Sequence, residues 1–301
     1  LIKEAETRQE IVAITAAMPD STGLLPFSER FPERFFDVGI AEQHATTAAA
    51  GMAMSGLRPV VAIYATFLNR AFDQIAFDVG LHELPVIFCL DRAGITGPDG
   101  ASHHGLLDMM LMSKIPGMTL FAPSSYQELQ QMFQDALEIT DGPVCIRYPR
   151  TPAPTVHETE VGKGKQARKV QEGDDACILA IGKMLEPAKE AANDLKQRGI
   201  GCSVWDVRCV APIDGDMLED AHRHPVVVTI EDGITEGGIG STIQNKLSRF
   251  NDRGPIVRTM GVPSAYVPQG NADEILSHLG LDSEGITREI LLLHEFSQNE
   301  E

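Results

Sequence analysis

Positive charge is scarce in this chain. Across 301 residues, 25 lysines and arginines stand against 43 aspartates and glutamates, a formal net charge of −18. That balance excludes a continuous basic face for nucleic acid and adhesion to an anionic membrane surface. An anionic substrate must be held by individual arginines working against the field of the whole molecule. Long apolar runs are missing too. No stretch approaches the roughly 18 to 20 residues of a membrane-spanning helix, and no basic-then-apolar leader is visible. Cysteines are few and show no pairing pattern. Cys89, Cys145, Cys177, Cys202 and Cys209 form no CxxC pair, so they read as buried free thiols of a reducing, cytoplasmic compartment. The opening Leu1-Ile2-Lys3-Glu4-Ala5 starts in mid-pattern, like the tail of a helix, and the chain is read as part of a longer protein.

What is present is alternation. Apolar, strand-like runs at Ile11–Thr15, Arg34–Val38, Val60–Tyr64, Val86–Leu90, Met118–Ala122 and Val144–Arg147 are separated by helical patterns near 41–56, 66–82, 106–113 and 124–140. Prolines, glycines and lysines interrupt the rhythm over 151–175. It resumes with strands at Cys177–Ile181, Cys202–Val207, Val226–Ile230 and Ile256–Met260, and with helices near 185–198, 215–222, 238–249, 272–279 and 284–294. Strand–helix alternation predicts an α/β protein of two doubly wound domains with mostly parallel sheets. The expected divisions are 1–150, a linker over 151–175, and 176–301. The hydrophobic content of 43% is ample for two such cores.

The most informative stretch is Phe36-Asp-Val-Gly-Ile-Ala-Glu-Gln-His-Ala-Thr-Thr47. An apolar run ends in a Gly39 turn, and Glu42 opens a small-residue helix. Glu42 is thus expected in a first helical turn at the carboxyl end of a parallel strand, where open α/β sheets place their ligand crevice. It is either a proton-transfer group or a first-turn anion that complements the helix dipole. Tyr64, Phe67 and Arg70 follow the next strand at spacings of three and share a side once a helix begins. An aromatic there can stack on a flat heteroaromatic ring. Phe72 and Phe77 are assigned to core packing.

The loop Asp91-Arg-Ala-Gly-Ile-Thr-Gly-Pro-Asp-Gly-Ala-Ser-His-His-Gly105 leaves a further strand at the same edge. Its glycines suit a backbone that bends sharply and admits a ligand, and His103 suits proton shuttling near neutrality. A metal site built from Asp99, His103, His104 and Asp108 is disfavoured, because adjacent histidines in an extended segment point apart. Arg92 and Arg150 fall at this edge as well, and arginine forks recognise phosphate or carboxylate. Together they point to a small phosphorylated substrate. In the second half, Glu231-Asp-Gly-Ile-Thr-Glu-Gly-Gly-Ile-Gly240 lacks the GxGxxG spacing and is read as a tight packing turn or an interface loop.

The runs DVGIAEQHA, VVAIYATFLNRAFDQ, DRAGITGPDGASHHG, GPVCIRYPR and TIEDGITEGGIGS resemble, in order, the 1-deoxy-D-xylulose 5-phosphate synthases. These are thiamine-diphosphate enzymes related to transketolase. The resemblance covers nearly the whole chain and corresponds to two of the family's three α/β domains, the pyrimidine-binding and C-terminal ones. The domain that binds the diphosphate and Mg2+, with its GDG motif and later Asn, has no counterpart here, so no metal ligand is expected in this chain. The resemblance implies condensation of pyruvate with D-glyceraldehyde 3-phosphate, with loss of CO2, in a homodimer, and inactivity of this portion by itself. It implies that Glu42 hydrogen-bonds the pyrimidine N1′. Phe67 stacks on that ring, with Tyr64 and Arg70 beside it. Asp99 and His103 contact substrate and relay protons, and Arg92 and Arg150 grip its phosphate. Thr151 departs from the glycine usual after Arg150. Alternatives are the second chain of a split transketolase, the β subunit of a 2-oxo-acid dehydrogenase, and a non-catalytic module. Glu42-Gln43-His44 and His103-His104 favour the synthase.

Overall fold

The computed structural model describes residues 1–250 and 254–298; the segment 251–253 and the end of the expected 176–301 domain lie outside them. The described residues form twelve strands: β1 (Ile11–Thr15), β2 (Phe35–Asp37), β3 (Arg58–Tyr64), β4 (Ile87–Asp91), β5 (Thr119–Phe121), β6 (Val144–Arg147), β7 (Arg168–Gln171), β8 (Ala176–Ala180), β9 (Cys202–Asp206), β10 (Cys209–Ala211), β11 (Val226–Ile234) and β12 (Ile256–Val262). They build a seven-stranded sheet in the order β10-β5-β6-β4-β3-β1-β2 and a five-stranded sheet in the order β12-β11-β8-β9-β7. All neighbours are parallel except β10 on β5 and β7 on β9. This is the expected doubly wound α/β class.

The central strands are buried on both faces, which explains their near-continuous apolar sequences. Side chains alternate between two cores, as the period of two requires. Ile14, Val61, Ile63, Phe88 and Leu90 face the helix Glu42–Met54, which presents Ala45, Ala49 and Ala53 and so packs close. Ile11, Val60, Ala62, Ile87, Val144 and Ile146 face the other way, toward Met132 and Ala136 of the helix Tyr126–Glu138. Ser125 caps that second helix, accepting the Glu128 N–H at 3.1 Å. The first of these cores runs on through Val207, Val210, Leu179 and Val227 into the second sheet.

Several details differ from the pattern reading. The helix expected over 66–82 is broken into α-helical Ala65–Leu68, a 3₁₀ turn at Asn69–Ala71, Phe72–Gln74, and a π turn at Ile75–Gly80. Ile75 and Val79, four apart, take the core side, which leaves Phe77 59% exposed rather than packed inside. Within the stretch read as a linker, Arg168–Gln171 pairs with β9. The three-residue β10 crosses back to edge the first sheet. Strands this short leave no readable periodicity.

The two halves are joined by buried charge. Arg147, at the end of β6, donates from Nε to Asp108 at 2.9 Å and from Nη1 to Asp232 of β11 at 2.5 Å. All three side chains are essentially inaccessible. Burial pushes the Asp108 carboxyl above its ordinary value despite Arg147. At Asp232 burial acts the same way but is outweighed by Arg147 and by Lys183, which together hold it low. Replacing Arg147 with leucine strands two carboxylates in the interior. It is expected to lower stability by about 3–5 kcal/mol in urea unfolding; a loss below about 1 kcal/mol would contradict this reading of the junction.

Candidate functional site

Parallel pairing sends the chain out of β1, β2, β3, β4 and β6 at one edge. At the end of β2, Asp37 Oδ1 accepts the N–H of Ala17 at 2.8 Å and of Gly39 at 3.0 Å, tying the exits of β1 and β2 together. Gly39 adopts φ +70°, where a side chain is strained, and the turn delivers Glu42 to the first helical position. Glu42 is only 3% exposed and its Oε1 accepts from Arg70 Nη1 at 2.6 Å. The Arg70 side chain, 52% exposed, lies with its guanidinium 4.9 Å from the Phe67 ring centre. Phe67 stacks on Tyr64 at 5.6 Å and 15°, and His103 meets Phe67 edge-on at 5.3 Å. Arg92 covers Tyr64 at 3.9 Å. Six of the residues singled out from sequence therefore form one contiguous cluster of carboxylate, guanidinium and flat rings.

The remaining two sit at its margin. Asp99 and Arg150 pair with each other at 2.7 Å, and Arg150 is near enough to act on the Asp91 carboxyl. Arg92 is already engaged. It holds a left-handed φ of +60°, donates from Nη1 to Asp91 at 2.6 Å and to the Ser21 carbonyl at 3.2 Å, and is mostly buried. Strained non-glycine backbone of this kind is concentrated at functional sites. Burial raises the Asp91 carboxyl, with Arg92 opposing. Asp108 belongs to the Arg147 junction and His104 to Thr96, so neither joins Asp99 and His103.

Residues 1–155 match the transketolase pyrimidine binding domain, and residues 165–286 match the transketolase C-terminal domain. The chain belongs to the transketolase family. It is 48% identical over 94% of its length to a 1-deoxy-D-xylulose-5-phosphate synthase of Magnetococcus marinus and 45% identical over 95% to 1-deoxy-D-xylulose-5-phosphate synthase 1 of Geobacter sulfurreducens. It spans 46% and 45% of those proteins, about half the length of the curated relatives it matches. Among solved structures, one described as a split gene transketolase, inactive beta4 tetramer, superposes with a TM-score of 0.88 at 31% identity, covering 98% of this chain and 95% of that one.

Within this transketolase-family chain, several residues at or near the cluster were not singled out from sequence. Asp37 carried a signal, since an aspartate two residues before a turn glycine is a common Asx arrangement. Ser21 and Met18 carried none. They come from the loop after β1, where Met18 Sδ accepts the Tyr64 N–H at 3.3 Å. Among the described residues no group of three His, Cys, Asp or Glu could hold a metal ion, and no helix is long and apolar enough to cross a membrane. All five cysteines are buried and free, and burial pushes the Cys89 thiol up to about 12.

Within the glycine-rich stretch, Glu231–Ile234 continue β11 where a turn was expected, and only 235–238 turn before the helix Ile239–Leu247. Glu231 is buried, and its carboxylate accepts the N–H of Ile239 at 3.3 Å and of Gly240 at 2.8 Å, filling the helix N-terminus that an anion could otherwise use. Burial pushes Glu231 up from 4.5 to about 7, although those N–H groups oppose it. A folded-state value above the unfolded one means the fold prefers the protonated acid. The Glu231 contribution to stability is thus full below about 4.5 and lost as pH rises through about 7. Glu231→Gln is expected to flatten urea stability against pH across that window, by roughly 3 kcal/mol at most. An unchanged pH profile would contradict the assignment.

Proposed function

We propose that this chain supplies the pyrimidine-side wall of a thiamine diphosphate site. The whole enzyme would be a transferase that condenses pyruvate with D-glyceraldehyde 3-phosphate, with loss of CO2, to 1-deoxy-D-xylulose 5-phosphate, a precursor for isoprenoid, thiamine and pyridoxal synthesis in the cytoplasm. The observation that carries the reading is Glu42, a carboxylate withdrawn from water beside the stacked rings of Phe67 and Tyr64. A flat heterocycle with a basic ring nitrogen asks for that pair of features. Identity of 48% and 45% to two synthases supports the choice of reaction.

Thiamine diphosphate, when bound, supplies a thiazolium carbon that attacks carbonyl groups. Glu42 would hold the proton shared with the pyrimidine N1′. Arg70 orients the Glu42 carboxylate by binding Oε1, and Phe67 offers its face to the ring. His103 has Nδ1 engaged with Ser102 Oγ at 3.0 Å, so Nε2 is the nitrogen to meet a substrate oxygen. Asp99 would accept from a substrate hydroxyl. Arg150, 47% exposed, is the more available phosphate ligand, with Arg92 acting beside it through Asp91. We assign the diphosphate and Mg2+ to a further domain. We place a homodimer contact on the exposed apolar residues on and around the helix Glu42–Met54, including Ile40, Met54, Phe77 and Leu81. The division into 1–150, a 151–175 connection and 176–301 is kept in this reading, with Arg168–Gln171 of the connection serving as an edge strand of the second sheet.

A second reading, the partner chain of a split transketolase, is favoured by the near end-to-end match to such a protein. Assaying the assembled enzyme with pyruvate and, separately, with a ketose phosphate donor distinguishes the two. In the assembled synthase Glu42→Ala is expected to cut turnover by about 10² to 10⁴-fold with little change in unfolding midpoint; an unaltered rate would refute the role. The 301-residue chain alone is expected to bind thiamine diphosphate weakly, since the anionic half finds no partner in it. Titration calorimetry giving sub-micromolar, Mg2+-dependent binding would overturn that.

A further inference from the structure

The loop from Asp91 to Gly105, which carries Asp99 and His103, is held from two sides. At its neck Gly94 and Gly105 exchange N–H to carbonyl hydrogen bonds of 2.8 and 2.9 Å. Behind the neck, a Cβ on Gly94 would collide with the Asp232 carboxylate, and one on Gly105 would lie 2.6 Å from the Ala65 Cβ. Toward its tip the loop meets the second half of the chain. The Gly270 N–H donates to the Gly97 carbonyl at 3.3 Å, and a Cβ on Gly97 would fall 2.9 Å from the Gly270 carbonyl oxygen.

His104 sits between these contacts and is 5% exposed. The Thr96 N–H donates to its Nδ1 at 3.1 Å, with Thr96 Oγ1 at 3.0 Å from the same nitrogen. Nδ1 is therefore the acceptor, and the neutral ring carries its proton on Nε2, which faces the Pro268 carbonyl at 3.4 Å. One imidazole thus bridges the outgoing limb of the loop to the 268–272 segment. His103, joined to it by one peptide, turns to the opposite side and meets Phe67.

We propose that His104 is a positioning residue: its ring fixes the 91–105 loop to the second half of the chain and thereby sets the aim of His103 and Asp99. The inference rests on reading those two as substrate-facing. The contact itself can be tested without activity, by amide hydrogen exchange on the 301-residue chain. His104→Ala is expected to speed exchange of the 94–105 amides about tenfold, with β4 and β8 unchanged, because the Thr96 N–H loses its acceptor and the bridge is cut at the same time. His104→Gln can accept from Thr96 and donate to Pro268, and should restore wild-type exchange. His104→Asn keeps a polar side chain but is too short to span both partners, and should leave the loop fast. Equal exchange in the Gln and Asn variants, or acceleration spread through β4 and β8, would overturn the proposal. In the assembled enzyme the alanine variant should raise KM for the phosphorylated acceptor about tenfold, and glutamine should restore it. Failure of that assay alone, with the exchange result intact, would count against the roles given to His103 and Asp99 and not against the bridge.

Discussion

Parallel pairing of β2 with β1, β1 with β3, β3 with β4 and β4 with β6 is the constraint on which the site depends. It forces successive segments of the chain to leave the sheet in one direction. The turn after β2 delivers Glu42, the exit from β3 delivers Tyr64 and Phe67, the exit from β4 delivers Arg92 and the long loop, and the exit from β6 delivers Arg150. An antiparallel strand within that set would carry its residue to the far edge. Covering both faces with helices is what makes parallel strands tenable, so the alanine-rich packing of the helix Glu42–Met54 is part of the site's construction and not background to it.

Much of this edge was legible in the sequence, because the signals were local. A glycine turn before a small-residue helix placed Glu42, and spacings of three placed Tyr64, Phe67 and Arg70 together. What the sequence did not disclose is pairing across distance. Nothing local marks Arg70 as the partner of Glu42, 28 positions earlier, or Asp99 as the partner of Arg150, 51 positions later. Arg147 resembled one more charge at a strand end. Its place at the centre of a buried triad depends on Asp232 arriving from the other sheet. The short strands β7 and β10 and the outward turn of Phe77 were missed for a related reason. Three or four residues carry no period, and tertiary packing decides which side of an irregular helix faces inward.

The scarcity of positive charge acquires a structural meaning once the arginines are located. Arg58, Arg147 and Arg208 are buried. Arg58 serves the carbonyls of Pro85, Ala136 and Ile139, and Arg208 serves Glu128 and the carbonyls of Lys163, Gly164 and Gln166. These cations are consumed in joining segments, but the buried residues also include the carboxylates Glu42, Asp91, Asp108, Glu128, Asp206, Glu231 and Asp232, so the interior takes up more negative charge than positive and the surface is somewhat less acidic than the composition suggests.

At the candidate site each arginine comes with its own carboxylate: Arg70 with Glu42, Arg92 with Asp91, Arg150 with Asp99. The cluster is therefore close to neutral before any ligand arrives, and it does not act as a bare positive pocket in an acidic protein. Any incoming anion must compete with a carboxylate already in place, which disfavours indiscriminate capture of anions. In return, the guanidinium groups are held in defined orientations in advance, and less conformational freedom is lost when substrate binds. Arg150 and its partner Asp99 are both partly exposed, and that pair can exchange partners at modest cost, as surface ion pairs do, whereas Arg70 cannot leave Glu42 without stranding a buried carboxylate. Arg92, locked under Tyr64 by a left-handed backbone and two oxygen acceptors, cannot do so without moving the start of the loop. Burial separates the two: Arg92 shapes the start of the loop, and Arg150 stays accessible at the surface.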